Sequence, residues 1–147
     1  MVWATKRIKY CAIALVVLNI LGCLSGGIAY ITATTLMPYH LEYVGMSTAD
    51  IQNFSPKLHN LIVVLIKLVG AVATIFLSSA IVIFLIPFRR GERWAWITTF
   101  VLGLLYLISV LAATFYVGAW IKWIMVAFTV LYLVFILIPF KDFFVKR

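Results

Sequence analysis

The stretch SPKLHNLIVVLIKLVGAVATIFLSSAIVIFLIP, residues 55–87, is an almost unbroken apolar run with one cation, Lys67, deep inside it. Ser55-Pro56 is a helix start: a hydroxyl that can cap free N–H groups, then a proline where its missing donor costs nothing. At about 1.5 Å of rise per residue the run is long enough to cross a hydrocarbon core of about 30 Å with a turn to spare. It predicts a membrane-spanning helix over 56–86, closed by Pro87 and followed by Arg89, Arg90 and Arg93. Lys67 lies about a dozen residues in from the helix start, which reads as too deep for a simple surface residue.

Composition agrees. Of the 147 residues 66% are hydrophobic and 11% charged, whereas a water-soluble domain carries about 25% charged residues. Mean hydropathy is +1.18. The chain reads as an integral membrane protein, and its length allows one all-α bundle, a single transmembrane domain over 1–147. A net charge of +8 raises the question of nucleic acid, but the cations are grouped beside apolar spans. Lys6, Arg7 and Lys9 form one group, Arg89, Arg90 and Arg93 a second, and Lys141, Lys146 and Arg147 a third. That grouping is how orientation in a membrane is encoded, with cations held on the cytoplasmic side. It argues against a nucleic-acid partner and for anionic lipid head groups as secondary partners.

Working outward, a first span is expected over 10–35, too long for a signal-peptide core, with Trp3 as an interfacial anchor. Gly22 and Gly26 make a G-x-x-x-G pattern within it, and glycines four apart let a second backbone approach closely. Asn19, Gly22, Gly26 and Tyr30 share one side at helical spacing; the side is either a packing seam with one interhelical hydrogen bond or a polar lining. Gly70, Thr74 and Ser78 recur every four residues on the second span, with Asn60, Lys67 and Ala71 near the same face, so seam against seam is the expected packing of these two spans. Further spans are expected over 94–117, with Ser109 and Ala113 in small-residue spacing, and over 119–140, beyond a short turn at Gly118. Lys122 lies near enough to the end of its span to snorkel. Four spans place both termini on one side, cytoplasmic by the positive-inside rule.

Residues 36–55 form the outer loop. Ser47-Thr48-Ala49-Asp50 is a capping-box start and predicts a short interfacial helix over 48–54. In the inner turn, Trp94 and Trp96 are expected at head-group level and Glu92 beside the neighbouring arginines. Cys11 and Cys23, twelve residues apart on one helix, are about 18 Å apart along its axis and cannot pair with each other.

Met37-Pro38-Tyr39-His40, Gly45-Met46-Ser47 and Arg90-Gly91-Glu92-Arg93-Trp94-Ala95-Trp96 together resemble a group of small bacterial four-span membrane proteins, DoxX-like in size and layout. The likeness covers residues 36–96. It implies the four-span topology and a bacterial cytoplasmic (inner) membrane, and it brings no catalytic residues.

The sharpest candidate for chemistry is Lys67. An ammonium at mid-span costs about 2.5–3.5 kcal/mol on insertion scales and needs a partner, water or a route to the interface. Of the four acids, Glu92 and Asp142 fall on the opposite side and Asp50 is occupied as a cap, which leaves Glu42. Two readings stand. In one, Lys67, Glu42, His40, Asn19, Tyr30, Asn60 and His59 border an outward-opening polar pocket; in the other, Lys67 snorkels to the outer head groups. His40, Glu42, Asp50 and His59 lack metal-site spacing, so no metal and no cofactor is expected. No catalytic triad, phosphate loop or nucleotide fingerprint is recognisable, and no span holds a carboxylate of the kind proton-coupled exporters use. The reading that follows is a non-enzymatic accessory or interaction component, with oligomer contacts through small-residue seams. The alternative is a small-ligand or lipid-handling protein, or an enzyme, built on the Lys67 pocket.

Overall fold

A computed structural model describes residues 5–118 and 120–144. Trp3, Ala119, Lys146 and Arg147, which the sequence reading used, lie outside the described residues. The described chain is helical, and four helices are long and apolar enough to cross a membrane. In chain order α1 is Lys6–Ile31, α2 Pro38–Val44, α3 Thr48–Phe54, α4 Pro56–Phe88, α5 Arg93–Val117 and α6 Ile121–Phe144. The first span thus begins earlier than expected and ends at Ile31, short of Thr35. The last passes Pro139 with a turn at 138–139 before a final helical piece, Phe140–Phe144.

The local start signals act as their chemistry dictates. The Ser47 hydroxyl accepts from the Asp50 N–H (3.2 Å) while the Asp50 carboxylate accepts from the Ser47 N–H (2.9 Å), the reciprocal arrangement of a capping box. The Ser55 hydroxyl accepts from the Leu58 N–H at 3.2 Å, with Pro56 at the first helical position. Gly45, at φ 68°, closes α2 in the left-handed conformation that suits glycine.

The bundle is cyclic: α1 packs on α4 and α6, and α5 on α6, with a looser contact between α4 and α5. α1 and α4 meet closely. A Cβ added at Gly70 would stand 2.7 Å from the Gly27 carbonyl oxygen and 2.8 Å from the Ile31 nitrogen, and one at Gly27 would stand 3.3 Å from the Thr74 Cα. The seam differs from the expected one. Around Gly26 a Cβ would meet nothing within 4 Å, and Ser78 and Lys67 are exposed. The reason is a π-helical turn over Cys23–Ile28. Its wider i→i+5 spacing inserts one residue, so the residue below Gly22 on the seam is Gly27, not Gly26. Gly22 itself faces Leu77 and Phe128 at 3.4 and 3.5 Å. A second π turn, Phe84–Phe88, contains Pro87, whose missing N–H breaks the regular ladder.

α5 and α6 are held by buried side-chain donors. The Trp96 indole donates to the Ile136 carbonyl at 2.7 Å and the Tyr132 hydroxyl to the Thr99 carbonyl at 2.8 Å. Gly103 makes room for the Tyr132 ring, its Cβ position being only 2.6 Å from Cζ. Trp96 is therefore a core residue, 7% exposed, and not the second head-group anchor; Trp94 keeps that exposure. Glu92 also differs from expectation: its carboxylate accepts from the Trp94 indole at 2.6 Å in place of an arginine. Ser109 and Ala113 are exposed and form no seam.

The main core, including Ile8, Leu15, Phe84, Phe88, Trp96 and Phe143, lies toward the end of the bundle where the first turns of α1 and the end of α6 meet the α4–α5 turn. A smaller cluster at the opposite end, Leu36, Ile51 and Ile66 with Tyr30, Leu41 and Ile62 against it, seats α2 and α3 on the first turns of α4. α2 and α3 make a cap on that end.

Candidate functional site

The seven residues of the sequence-predicted pocket fall in separate places. Lys67, Asn60 and Glu42 are exposed, His59 is buried, Asn19 is buried inside the bundle, and Tyr30 and His40 meet under the cap. Among the described residues Glu42 makes no ion pair; the pair present is Arg7–Asp142, at 3.8 Å. The helix register explains the position of Lys67. Ile31 stands opposite Gly70, Gly27 opposite Thr74 and Gly22 opposite Leu77. Carried on, that register sets Lys67 level with the residues just past the last turn of α1. Counting from Pro56 made it look deep because α4 is 33 residues long and α1 is 26.

Under the cap, Pro38 starts α2 over the end of α1, and the Tyr30 and Tyr39 hydroxyls hydrogen-bond to each other. The His40 ring meets Tyr39 edge-on, centroids 4.4 Å apart, and lies 6.1 Å from Tyr30. Burial pushes the His40 imidazole below its ordinary value. Burial first, and the Tyr30 hydroxyl second, push the Tyr39 phenol up. Both are thus uncharged at neutral pH. His40 Nδ1 is buried and has no hydrogen-bond partner, as is His59 Nε2. This is a neutral polar knot tying α2 to α1, with no carboxylate in it to exchange protons with the imidazole.

A cavity of about 80 Å³ lies between α4 and α5, backed by Asn19 of α1 and Tyr132 of α6, with Leu77, Thr99 and Tyr106 on its walls. The polar groups around it are turned into the helices. Asn19, 3% exposed, donates to the Leu15 carbonyl at 2.8 Å, and the Thr99 hydroxyl donates to the Ala95 carbonyl at 2.7 Å. The surface facing the space is apolar. The sequence reading missed Thr99, Gly103 and Tyr132; the signal was a Thr-x-x-x-Gly pair on the third span, a small-residue spacing like those noted elsewhere.

The cap carries a second, more open hollow of about 190 Å³ along α3 and the start of α4. Its walls are Val44, Met46, Ile51, Phe54, Leu58 and Ile62, all apolar, and Phe54 is 76% exposed. Among the described residues no three His, Cys, Asp or Glu side chains converge as a metal site. Comparisons with protein-family models, with curated proteins and with solved structures give no match.

Proposed function

We propose that this chain is a non-enzymatic membrane component that works by contact with another protein, an accessory subunit of a bacterial-type inner membrane with both termini cytoplasmic. The observation that carries this reading is the cap groove of Val44, Met46, Ile51, Phe54, Leu58 and Ile62. Charges delimit the bilayer on this arrangement. The longest stretches free of charge on each span are 10–31 on α1, 68–88 on α4, 94–117 on α5 and 123–140 on α6. Each has roughly the 20 residues that a hydrocarbon core of about 30 Å requires. Lys67 and Lys122 then fall at the outer boundary, and α2, α3 and the first turns of α4 stand beyond it. An apolar groove outside the hydrocarbon is not covered by acyl chains, and apolar surface of this kind marks a contact site.

Gly27, Gly70 and Thr74 are consumed within the chain, so these three are not available to a partner, whether another protein or a second copy. A photo-reactive residue at Phe54 or Leu58, activated in intact membranes, tests the proposed contact. A discrete protein adduct supports an interaction component; adducts to lipid alone refute it.

A second reading, small-ligand or lipid handling, draws on the cavity between α4 and α5 with Asn19 behind it. It moves the candidate site away from Lys67. Its mark would be a lipid or small molecule that co-purifies with the protein and is lost in Gly103→Leu, where the longer side chain would enter that space.

A further inference from the structure

We infer that the end of the bundle gathering the first turn of α1, the last turn of α6 and the α4–α5 turn is a binding surface for the phosphates of anionic phospholipids. Two basic groups some eighty residues apart in sequence are joined there. Ile8, 2% exposed, packs into the core with Phe88, and its Cδ1 lies 3.7 Å from the Cβ position of Gly91. Lys6, Arg7 and Lys9 flank that anchor on one side, and Arg89 and Arg90 precede Gly91 on the other, all five exposed. The α1–α4 register sets Lys9 level with Arg90.

Of the acids at this end, Asp142, 9% exposed, stands 3.8 Å from Arg7, its buried Oδ2 without a hydrogen bond, and Glu92 accepts from the Trp94 indole. Arg93 is engaged too: its Nε donates to the Phe143 carbonyl at 2.9 Å, and its guanidinium stands 5.9 Å from the Phe144 ring centroid. Lys6, Lys9, Arg89, Arg90 and Lys141 are left without a carboxylate among the described residues.

Level decides the class of anion. Tyr10 and Trp94, 70% and 53% exposed, stand beside these cations, and aromatic side chains of this kind settle at the bilayer interface. Phosphodiester groups lie at that depth. Their unesterified oxygens accept from guanidinium and ammonium donors, and clustered cations beside a span attract anionic leaflets. Free phosphate offers the same oxygens without the chains, so the test separates the two.

The full chain, purified in mild detergent, is titrated with phosphatidylglycerol, phosphatidylcholine or inorganic phosphate. Bound species are read by native mass spectrometry and protection by thermal unfolding. Phosphatidylglycerol is expected to bind at a concentration roughly tenfold lower than phosphatidylcholine. Lys9→Gln with Arg90→Gln is expected to erase that preference, and Lys67→Gln with Lys122→Gln, the same charge change at the opposite end, to keep it. If the double variant does not fold, Arg89→Gln is read in its place, with an expected loss of roughly fivefold. Equal binding of the two lipids, an unchanged preference in the inner variants, or equal protection by inorganic phosphate would each overturn the assignment.

Discussion

Replacing Gly70 by alanine is expected to loosen the α1–α4 contact, while the same change at Gly26 is not. At Gly70 the new methyl would sit 2.7 Å from the Gly27 carbonyl oxygen and from the Tyr30 Cβ, and 2.8 Å from the Ile31 nitrogen. Reaching an ordinary contact of about 3.4 Å requires the last turn of α1 to retreat by about 0.7 Å, and two of the three obstructing atoms are backbone. Overpacking of this kind costs about 1–3 kcal/mol. Alanine's better helix propensity returns up to about 1 kcal/mol, so from the middle of that range, about 2 kcal/mol, Gly70→Ala should lose about 1 kcal/mol net. Gly26→Ala meets nothing within 4 Å and keeps the propensity gain. The two variants should therefore move to opposite sides of wild type in equilibrium unfolding by sodium dodecyl sulfate in mixed micelles, followed by circular dichroism. A Gly70→Ala protein as stable as wild type, or a Gly26→Ala protein that loses stability as a simple G-x-x-x-G seam requires, would refute the π-shifted register.

Tyr132→Phe removes the donor to the Thr99 carbonyl and should cost about 0.6–1.7 kcal/mol in the same assay. Gly103→Ala should cost more, and Tyr132→Leu introduced with it should recover part of the loss, a coupling that a double-mutant cycle reads directly. Lys67→Met should leave unfolding within about 0.5 kcal/mol of wild type, because Lys67 is exposed and has no carboxylate beside it among the described residues; a loss of several kcal/mol would mean that the charge is paired. The cap should weaken in acid. Burial holds the His40 imidazole below its ordinary value, so the unfolded chain binds the proton more readily. The stabilisation is complete above the unfolded value of about 6.5 and is lost as pH falls through it toward the lower folded value. Protection from hydrogen exchange across 38–44, taken relative to the intrinsic rate at each pH, should fall between pH 7.5 and 5.5 in wild type and not in His40→Phe; wild-type protection that is flat or rises would refute the effect.

The signals that were legible are local ones. Ser47 with Asp50, Ser55 with Pro56 and Gly118 fix helix ends through atoms three or four residues apart, and the structure follows each. Span existence was legible because it depends on summed hydropathy over about 20 residues. Helix faces were not. When nearly every position is apolar, the 3.6-residue contrast that reveals a buried side of a soluble helix fades. Trp94 and Trp96 show this: they are alike in type, yet two residues turn a helix by about 200°, so one faces outward and the other donates to Ile136. The Gly22–Gly26 spacing failed for a related reason, since no residue type announces a π turn.

Counted along its own helix, Lys67 lies about a dozen residues from the start, and both the pocket and the snorkelling reading follow from that count. Depth is set by the neighbours, and Gly70 stands opposite the last residue of α1. On the proposed boundary at Lys9, Arg90, Lys67 and Lys122, a lysine on the exposed face of α4 does not require the missing carboxylate, because its stem can lie along apolar surface with the ammonium among head groups. The same boundary changes the meaning of the residues beyond it. Leu58 and Ile62, unremarkable within a span, become water-facing walls of a groove once they project past the hydrocarbon, and Phe54 at 76% exposure then carries a solvation cost that a binding partner would remove. The position of one cation thus favours the proposed contact site on the cap over one in the interior of the bundle.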